Sequence, residues 1–277
     1  MVVVESAGIT DVGQKRKINE DSLFLDDDLG LYIVADGMGG HKAGEVASSL
    51  VVETIREYMK RFDDESGDVE ELEDSDETLS KSANRILSSI HLANQGVFRV
   101  SQSKEDYRGM GSTVSGIYFT DETFVVANVG DSPIFLVHNN NIELISVLHT
   151  VVAEQAQIDP EAANRLGREF RHMLTQGMGI KETVEPDSCE IQCARGDVLV
   201  ISSDGLTDLV LPEEILNIVN KENPDKAVRS LVYLANERGG EDNITVIVIK
   251  IKKVYDNEGI MGRIYNAFGK IKLLFFN

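Results

Sequence analysis

Cysteine is scarce in this chain, since only Cys189 and Cys193 occur among its 277 residues. Two cysteines cannot build a disulfide framework, so we expect a protein of the reducing cytoplasm. No apolar run approaches the roughly 20 residues that a membrane-spanning helix needs. Residues 1–5 also lack the basic start and the long apolar run of a secretory leader. The composition therefore predicts a cytoplasmic protein.

Basic residues are few as well: 27 Lys and Arg stand against 47 Asp and Glu, a net charge of −20. This deficit argues against nucleic acid as a partner, because binding to a phosphate backbone depends on Lys and Arg. Half of the charge is local, since residues 63–77 contain ten acids and no base. Such a segment cannot support a packed core, and we predict a solvated loop there. The acidity therefore says little about the substrate.

Carboxylates stand at the ends of three apolar strands. Two strands run directly into Asp-Gly, at Asp36 and at Asp204, and Asp242 stands just before a third strand. A residue at a strand end is held rigidly at the mouth of a core, and a following glycine allows a sharp turn or a close approach. Acids gathered in one cleft repel each other unless a cation intervenes. Because Mg²⁺ and Mn²⁺ prefer oxygen ligands, the pattern predicts a site for one of them.

Hydrophobic spacing divides the rest of the chain into helices and strands. Apolar steps of three and four, with helical composition, predict helices at 46–62, 79–97, 213–220 and 225–238. β-branched and aromatic residues predict strands at 22–25, 29–35, 112–119, 123–129, 134–137, 142–147 and 245–251, and a hairpin of 189–193 with 197–203. Runs of strands interrupted by helix pairs are typical of an α+β layered sandwich.

Six short motifs stand in order between residues 4 and 250. They are Thr-Asp-Val-Gly-Gln-Lys-Arg-Lys-Ile-Asn-Glu-Asp (10–21), Asp-Gly-Met-Gly-Gly-His (36–41), Gly-Ser-Thr (111–113), Val-Gly-Asp-Ser (129–132), Ser-Asp-Gly-Leu-Thr-Asp (203–208) and Glu-Asp-Asn-Ile-Thr (241–245). This series resembles the metal-dependent, type 2C serine/threonine protein phosphatases in their bacterial form. The resemblance implies a four-layer α-β-β-α sandwich, in which two antiparallel sheets are flanked by antiparallel helix pairs.

The resemblance also implies a centre of two Mn or Mg ions at one end of the sandwich. Asp36 corresponds to the ligand that bridges both ions. Asp204 and Asp242 correspond to ligands of one ion. The Gly37 carbonyl and, through water, Glu20 correspond to ligands of the other.

Three further roles follow from the same resemblance. Asp21 corresponds to an acid that orients the ligand network, and Arg16 to the arginine that binds the substrate phosphate. Asp131, together with Asp204, corresponds to the pair that holds a third, more weakly bound ion. These eight positions are the candidate site residues of the chain.

The implied function is a phosphoserine/phosphothreonine protein phosphatase, which hydrolyses phosphate monoesters by attack of a water activated at a dinuclear Mg/Mn centre. Its partners are phosphorylated Ser/Thr proteins and a cognate Ser/Thr kinase. The alternative is a catalytically weak or inactive module on the same fold that binds phosphoproteins. None of the core acids of the family is missing, which favours the enzyme. Hard oxygen ligands accept both magnesium and manganese, so the choice of metal stays open.

The chain departs from the family pattern at two places. Pro133 stands where the fourth motif usually has arginine, and Leu148-His149-Thr150 replaces a downstream Asp-His-Ser. Both flank residues 151–171, which match a flap-like segment that shapes substrate access in the family. We therefore expect substrate handling and the third ion, more than the dinuclear centre, to differ from the family.

Two other chemistries receive less support. The spacing of Cys189 and Arg195 equals that of thiol-based tyrosine phosphatases, but the five intervening residues contain no glycine and read as a strand. We interpret both cysteines as structural. The five histidines (His41, His91, His138, His149 and His172) lack the spacing of metal ligands, and a structural role is favoured for each. The proton donor to the leaving group stays unassigned.

We divide the chain into a type 2C-like phosphatase domain, residues 1–255, and an amphipathic C-terminal tail, residues 256–277. In the tail, apolar residues follow steps of three and four on one helical face, from Ile260 to Phe275. The side chains of residues 257–277 sum to +2, opposite in sign to the rest. Such a helix can dock on an anionic membrane or a partner, or pack on its own domain. We accordingly expect a protein of the cytoplasm, peripheral to the inner face of the membrane if the tail docks there.

Overall fold

The computed structural model describes residues 2–39, 42–63, 76–103, 105–167, 170 and 172–255. Within these residues the chain forms strands and α-helices in mixed order. The strands are β1 Val2–Asp11, β2 Ser22–Asp26, β3 Leu31–Ala35, β4 Gly37–Met38, β5 Gly111–Ser112, β6 Val114–Phe119, β7 Thr123–Val129, β8 Ile134–His138, β9 Asn141–Leu144, β10 Asp187–Gln192, β11 Val198–Ser202 and β12 Ile244–Val254. The helices are α1 Lys42–Asp63, α2 Lys81–Ser103, α3 Val151–Ile158, α4 Pro160–Ala163, α5 Asp204–Thr207, α6 Pro212–Lys221 and α7 Pro224–Glu237.

Two five-stranded antiparallel sheets form the centre of the molecule. One has the strand order β1-β12-β11-β8-β9, and the other has the order β10-β7-β6-β3-β2. The two short strands β4 and β5 pair separately, and Ser112 bridges further to Met178. The strands that lead to the candidate metal ligands come from both large sheets. β3 lies in one sheet, and β11 and β12 lie in the other.

Successive side chains of the central strands point to opposite faces, and both faces are covered. Leu199 and Ile201 of β11 belong to the same buried cluster as Tyr32 and Val34 of β3, so this cluster fills the space between the sheets. Burial on both faces explains why these strands read as continuous apolar runs without alternation.

Helix pairs cover the outer faces of both sheets. The apolar stripes of α1 and α2 pack on β3 and β7, where Ile33 and Val125 are buried with them. In the same way α6 and α7 pack over Val200 and Val248 of the other sheet. The predicted α+β four-layer α-β-β-α sandwich is therefore confirmed. The apolar faces of the helices pack on the outer faces of the two sheets.

The predicted hairpin of residues 189–193 with 197–203 is wrong. β10 pairs with β7 in one sheet, whereas β11 pairs with β12 and β8 in the other. The two strands differ in their apolar surface: all five residues of β11 are buried, while β10 is mostly exposed. A strand that is apolar on both faces gains most at the centre of a covered sheet, and a polar strand is stable at an edge.

The predicted acidic loop lies partly outside the described residues, which omit 64–75. Its ends are structured, because Asp63 is the last residue of α1 and Asp76 forms a polar turn before α2. There the Asp76 Oδ1 atom accepts hydrogen bonds from the Thr78 backbone (2.8 Å) and hydroxyl (2.6 Å). The tail, 256–277, and His41 also lie outside the described residues. Among the described helices, none has the length and hydropathy needed to cross a bilayer.

Candidate metal centre

The carboxylates predicted at strand ends come together at one end of the sandwich. Asp36 follows β3, Asp204 begins α5 just after β11, and Asp242 lies two residues before β12. Burial of the Asp36 carboxylate raises its pKa well above its ordinary value, and neighbouring negative charges add to this effect. The acids that contribute this charge are Asp21, Asp204, Asp131 and Asp242. Five carboxylates from both sheets therefore share one electrostatic environment.

The glycines of the two Asp-Gly pairs allow close backbone approach. A Cβ atom on Gly37 would collide with the carbonyl oxygens of Gly44 and Glu20. A Cβ atom on Gly205 would collide with the Asn243 carbonyl oxygen and would come within 3.3 Å of the Asp242 Cβ. A side chain at either position would therefore push apart the segments that carry the acids. This is the role that the sequence predicts for these glycines.

Asp21 is buried behind the cluster and is oriented by two hydroxyl groups. Its Oδ2 atom accepts hydrogen bonds from Ser203 Oγ (2.9 Å) and Thr245 Oγ1 (2.7 Å). Burial raises its pKa to about 6, these hydrogen bonds oppose the rise, and the charges of Asp204 and Asp242 add to it. The Asp21 Oδ1 atom is buried and accepts no hydrogen bond from the described residues. Asp21 thus joins the segment 10–21 to the end of β11 and to the start of β12.

Asn243 anchors the loop that carries Glu20 and Arg16. Its side-chain oxygen accepts a hydrogen bond from the Glu20 backbone (2.8 Å), and its Nδ2 donates to the carbonyls of Val12 and Ile18 (both 3.0 Å). Glu20 is buried, and its carboxylate lies beside Gly44 at the start of α1. The sequence motif containing Asn243 pointed to Asp242 alone, and the positioning role of the amide becomes visible only in the fold.

Asp131 occupies the turn between β7 and β8 on the same side of the site. The turn is held by a hydrogen bond between the Thr113 and Ser132 hydroxyls (2.7 Å), and Ser115 donates to the Ser132 carbonyl (2.5 Å). Burial, together with the charge of Asp204, raises the pKa of Asp131 to about 7. Asp131 and Asp204, assigned from sequence to a third ion, are therefore neighbours.

Arg16 lies at the rim of the cluster with half of its side chain exposed. Its Nη2 atom donates to Asp242 Oδ2 over 2.7 Å. The candidate phosphate-binding arginine therefore stands beside the candidate metal ligands, and its guanidinium can reach the centre from solvent.

His172, for which the sequence favours a structural role, belongs to the cluster. Its Nδ1 atom lies 3.2 Å from Asp204 Oδ2, and its Nε2 atom lies 3.5 Å from Asp208 Oδ2. The interaction with Asp204, with the charges of Asp208 and Asp131, raises the pKa of His172 to about 9, although partial burial opposes the rise. Its partners are 32 and 36 residues away along the chain, so no local spacing could have revealed it.

His149 is a second histidine whose position the sequence did not reveal. It is buried, its Nδ1 atom accepts a hydrogen bond from the Gly130 backbone (3.1 Å), and its Nε2 atom contacts Asp187 Oδ2 (2.7 Å). The Gly130 bond requires an unprotonated Nδ1, so Nε2 carries the proton and donates to Asp187. The ring thereby holds Gly130, the residue before Asp131.

The residues present fit divalent hard cations. The donor set at the centre of the cluster consists of carboxylates, with the Gly37 carbonyl adjacent, which suits Mg²⁺ or Mn²⁺. Burial raises the pKa values of Asp21, Asp36 and Asp131, and the negative charges of neighbouring carboxylates add to the effect. Two cations would supply positive charge and would bind the oxygens that repel each other.

A four-layer sandwich with this acidic cluster at the end of its sheets defines a class, the metal-dependent protein phosphatases. The chain matches the family described as "Protein phosphatase 2C" over residues 13–238. A putative protein phosphatase 2C-type of Streptococcus pyogenes is 37% identical over 248 residues, which cover 87% of this chain and 94% of that relative. The chain belongs to the protein phosphatase 2C family.

Solved structures agree with this assignment. Serine/threonine phosphatase Stp1 of Staphylococcus aureus has a TM-score of 0.76 and 32% identity, covering 91% of this chain and 96% of that one. The catalytic domain of serine threonine protein phosphatase PstP, solved in complex with two manganese ions, has a TM-score of 0.77 and 28% identity. The match covers 91% of this chain and all of that one.

Proposed function

We propose that the chain is a metal-dependent serine/threonine protein phosphatase, which hydrolyses the phosphate monoesters of phosphoserine and phosphothreonine in proteins. The observation that carries this proposal is the convergence of Asp36, Asp204 and Asp242 from three strand ends into one cluster. Membership of the protein phosphatase 2C family supports the reaction and its substrate class. The manganese ions of the solved PstP domain support a dinuclear centre.

Each acid has a distinct part in holding the metal ions. By the family resemblance, Asp36 would bind both ions, and Asp204 and Asp242 would bind one of them. The Gly37 carbonyl and Glu20 would serve the other ion. When bound, the two cations acidify water and neutralise negative charge on the phosphoryl group.

The chain's own residues prepare the site for that chemistry. Asp21 is held by Ser203 and Thr245 and so orients the ligand network from behind. Arg16 is exposed at the rim, and its planar fork of N–H donors suits two phosphate oxygens at once. To bind phosphate, its guanidinium exchanges Asp242 for the substrate. A cation held by Asp242 would compete with Arg16 for this carboxylate and so favour the exchange.

The partners follow from the reaction. The substrates are phosphorylated proteins, and a Ser/Thr kinase must supply them. We further propose that residues 1–255 form the phosphatase domain in the cytoplasm, and that the basic amphipathic tail docks it on an anionic membrane surface or a partner protein. The net charge of the tail supports docking on a membrane, since residues 257–277 carry +2 and a basic segment is attracted to anionic lipid.

A catalytically inactive phosphoprotein-binding module is the alternative, and the site does not favour it. Loss of a core acid would be expected in such a module, whereas Asp36, Asp204 and Asp242 are all present and close together. One assay distinguishes the two functions, because only an active phosphatase releases phosphate from a phosphothreonine peptide.

The test measures release of phosphate from a phosphothreonine peptide with added manganese. The wild-type chain turns over, and excess chelator abolishes the activity. Asp204→Asn should retain its thermal unfolding transition but lose at least about 100-fold in rate. Cys189→Ser is the matched control, because partial burial raises the pKa of the Cys189 thiol and so opposes its use as a nucleophile. Undiminished turnover in Asp204→Asn, or in chelator, contradicts the proposal.

A further inference from the structure

We propose that His172 is a protein ligand of the outer, third cation, which it binds together with Asp131 and Asp204, and that it makes this position selective for manganese over magnesium. This inference rests on the proposed function, since it adds a residue and a metal preference to the same centre. The family resemblance assigns only the two aspartates to that ion, and the chain reaches His172 through a separate segment after α4.

The three side chains have the spacing of a shared ion. One ligand atom from each of Asp131, His172 and Asp204 lies within 4.8 Å of the others. Around an octahedral ion with bonds of about 2.1 Å, adjacent ligand atoms lie about 3 Å apart and opposite ones about 4.2 Å apart. The separation of 3.2 Å between His172 Nδ1 and Asp204 Oδ2 matches an adjacent pair.

The other ring nitrogen of His172 faces a carboxylate. Its Nε2 atom lies 3.5 Å from Asp208 Oδ2, on the side of the ring away from Nδ1. Histidines that bind metals commonly donate their second N–H to a carboxylate, which orients the ring and makes the coordinating nitrogen more basic. Asp208 is placed to do this for His172, and it provides an observation independent of the Asp131 and Asp204 geometry.

A hydrogen-bonded frame fixes His172 relative to Asp131. The Val151 backbone donates to the Met173 carbonyl (3.0 Å), and the Thr175 backbone donates to the His149 carbonyl (2.9 Å). His149 in turn exchanges hydrogen bonds with Gly130, the neighbour of Asp131: its backbone N–H donates to the Gly130 carbonyl (2.9 Å). The segments that carry His172 and Asp131 are thus joined through a single buried residue, which pre-organises the two ligands.

An imidazole ligand changes which ion the position prefers. Imidazole suits transition metals, whereas Mg²⁺ demands oxygen ligands and gives up its waters reluctantly. A site built from two carboxylates alone would accept either ion. With His172 added, manganese gains a ligand that magnesium uses poorly, so the outer position discriminates between them.

The test titrates the full-length chain with manganese and counts free Mn²⁺ by electron paramagnetic resonance. The wild-type chain should bind two ions tightly and a third more weakly. In His172→Ala the third manganese ion should lose at least about 10-fold in affinity, while the magnesium affinity of that position, measured by competition, should change less. Asp208→Asn should lose about 10–100-fold, as expected for removal of an orienting partner. Pulsed resonance should detect a ¹⁴N coupling in the wild type that disappears in His172→Ala.

Two control variants make the result specific. His91→Ala removes an exposed histidine of α2, and should keep both the third ion and the ¹⁴N coupling. Asp131→Asn should lose the third ion as His172→Ala does. An unchanged third ion in His172→Ala, or three bound ions without nitrogen coupling, overturns the inference alone. Absence of the two tight ions in the wild-type chain overturns the proposed function as well.

Discussion

Arg16 Nη2 and Asp242 Oδ2 lie 2.7 Å apart, although 226 residues separate them in the chain. One is the candidate phosphate-binding cation, and the other is a candidate metal ligand. The pair joins the first motif of the chain to the last, and the Asn243 amide beside it holds the intervening loop through Glu20. The position of Arg16 at the candidate metal centre is therefore a consequence of how the segments around residues 16 and 242 pack together.

Arg16→Ala should destabilise the transition state for phosphopeptide hydrolysis and so lower kcat/KM. Hydrogen bonds to charged groups contribute about 1.5–3 kcal/mol, which corresponds to roughly 10–150-fold in kcat/KM. Arg16→Lys should restore only part of this loss, since an ammonium group cannot present the planar fork. Steady-state kinetics at saturating manganese provide the measurement. Full recovery in Arg16→Lys would show that charge alone matters, and unchanged kinetics in Arg16→Ala would remove Arg16 from the site.

Asp36→Asn should distinguish two effects on the melting temperature: the repulsion between the acids, and the stabilisation by bound metal. In the metal-free chain the substitution removes a carboxyl group that burial and neighbouring negative charges destabilise, so the melting temperature should rise. The wild type should instead gain stability with manganese, by about 2.7 kcal/mol at 100 times the dissociation constant. For a domain of this size that corresponds to about 5–10 °C.

Differential scanning calorimetry with and without manganese checks the Asp36→Asn prediction. The variant should show little or no manganese-dependent shift, while its backbone contacts with Thr113 remain. A full shift in Asp36→Asn would mean that the bridging role has been assigned to the wrong residue. A lower melting temperature in the metal-free variant would mean that the Asp36 carboxylate stabilises the fold.

Replacement of residues 64–75 with a short Gly/Ser linker should leave metal-dependent activity on a small aryl phosphate intact. Asp63 and Asp76 are kept because they belong to α1 and to the turn before α2. A matched variant that replaces all of 63–77 also removes the Asp76 turn, and should lose about 1 kcal/mol of stability. Denaturant unfolding compares the two. Failure of the shorter replacement to fold would contradict the loop interpretation.

Truncation after Tyr255 should preserve catalysis and remove docking. β12 ends at Val254, and Val254 already pairs with Val2, so the truncation removes no residue of the sheet. Cosedimentation with vesicles containing anionic lipid, and with neutral vesicles as the control, measures the loss of binding. If the truncated chain aggregates or melts much earlier, the tail packs on its own domain and the docking prediction fails.

Much of the fold could be predicted from residue patterns. The apolar runs that end at Asp36 and Asp204 are central strands, because only a strand covered on both faces has apolar residues throughout. The helical stripes predicted at 46–62 and 79–97 coincide with α1 and α2. These features follow from periodicity, which is a local property of the chain. The pairing of strands is not local, and the hairpin predicted between β10 and β11 was wrong for that reason.

The sequence by itself determined the layers of the sandwich, the strand ends that carry carboxylates and the glycines that follow them, since each depends on residues close together in the chain. Tertiary structure alone decided that His172 joins Asp131 and Asp204, that His149 holds the turn before Asp131, and that Asn243 anchors Glu20. These contacts depend on the distance between side chains from different segments. Histidine and asparagine have no periodic signature that could indicate such partners, and their roles appear only when the two sheets are packed together.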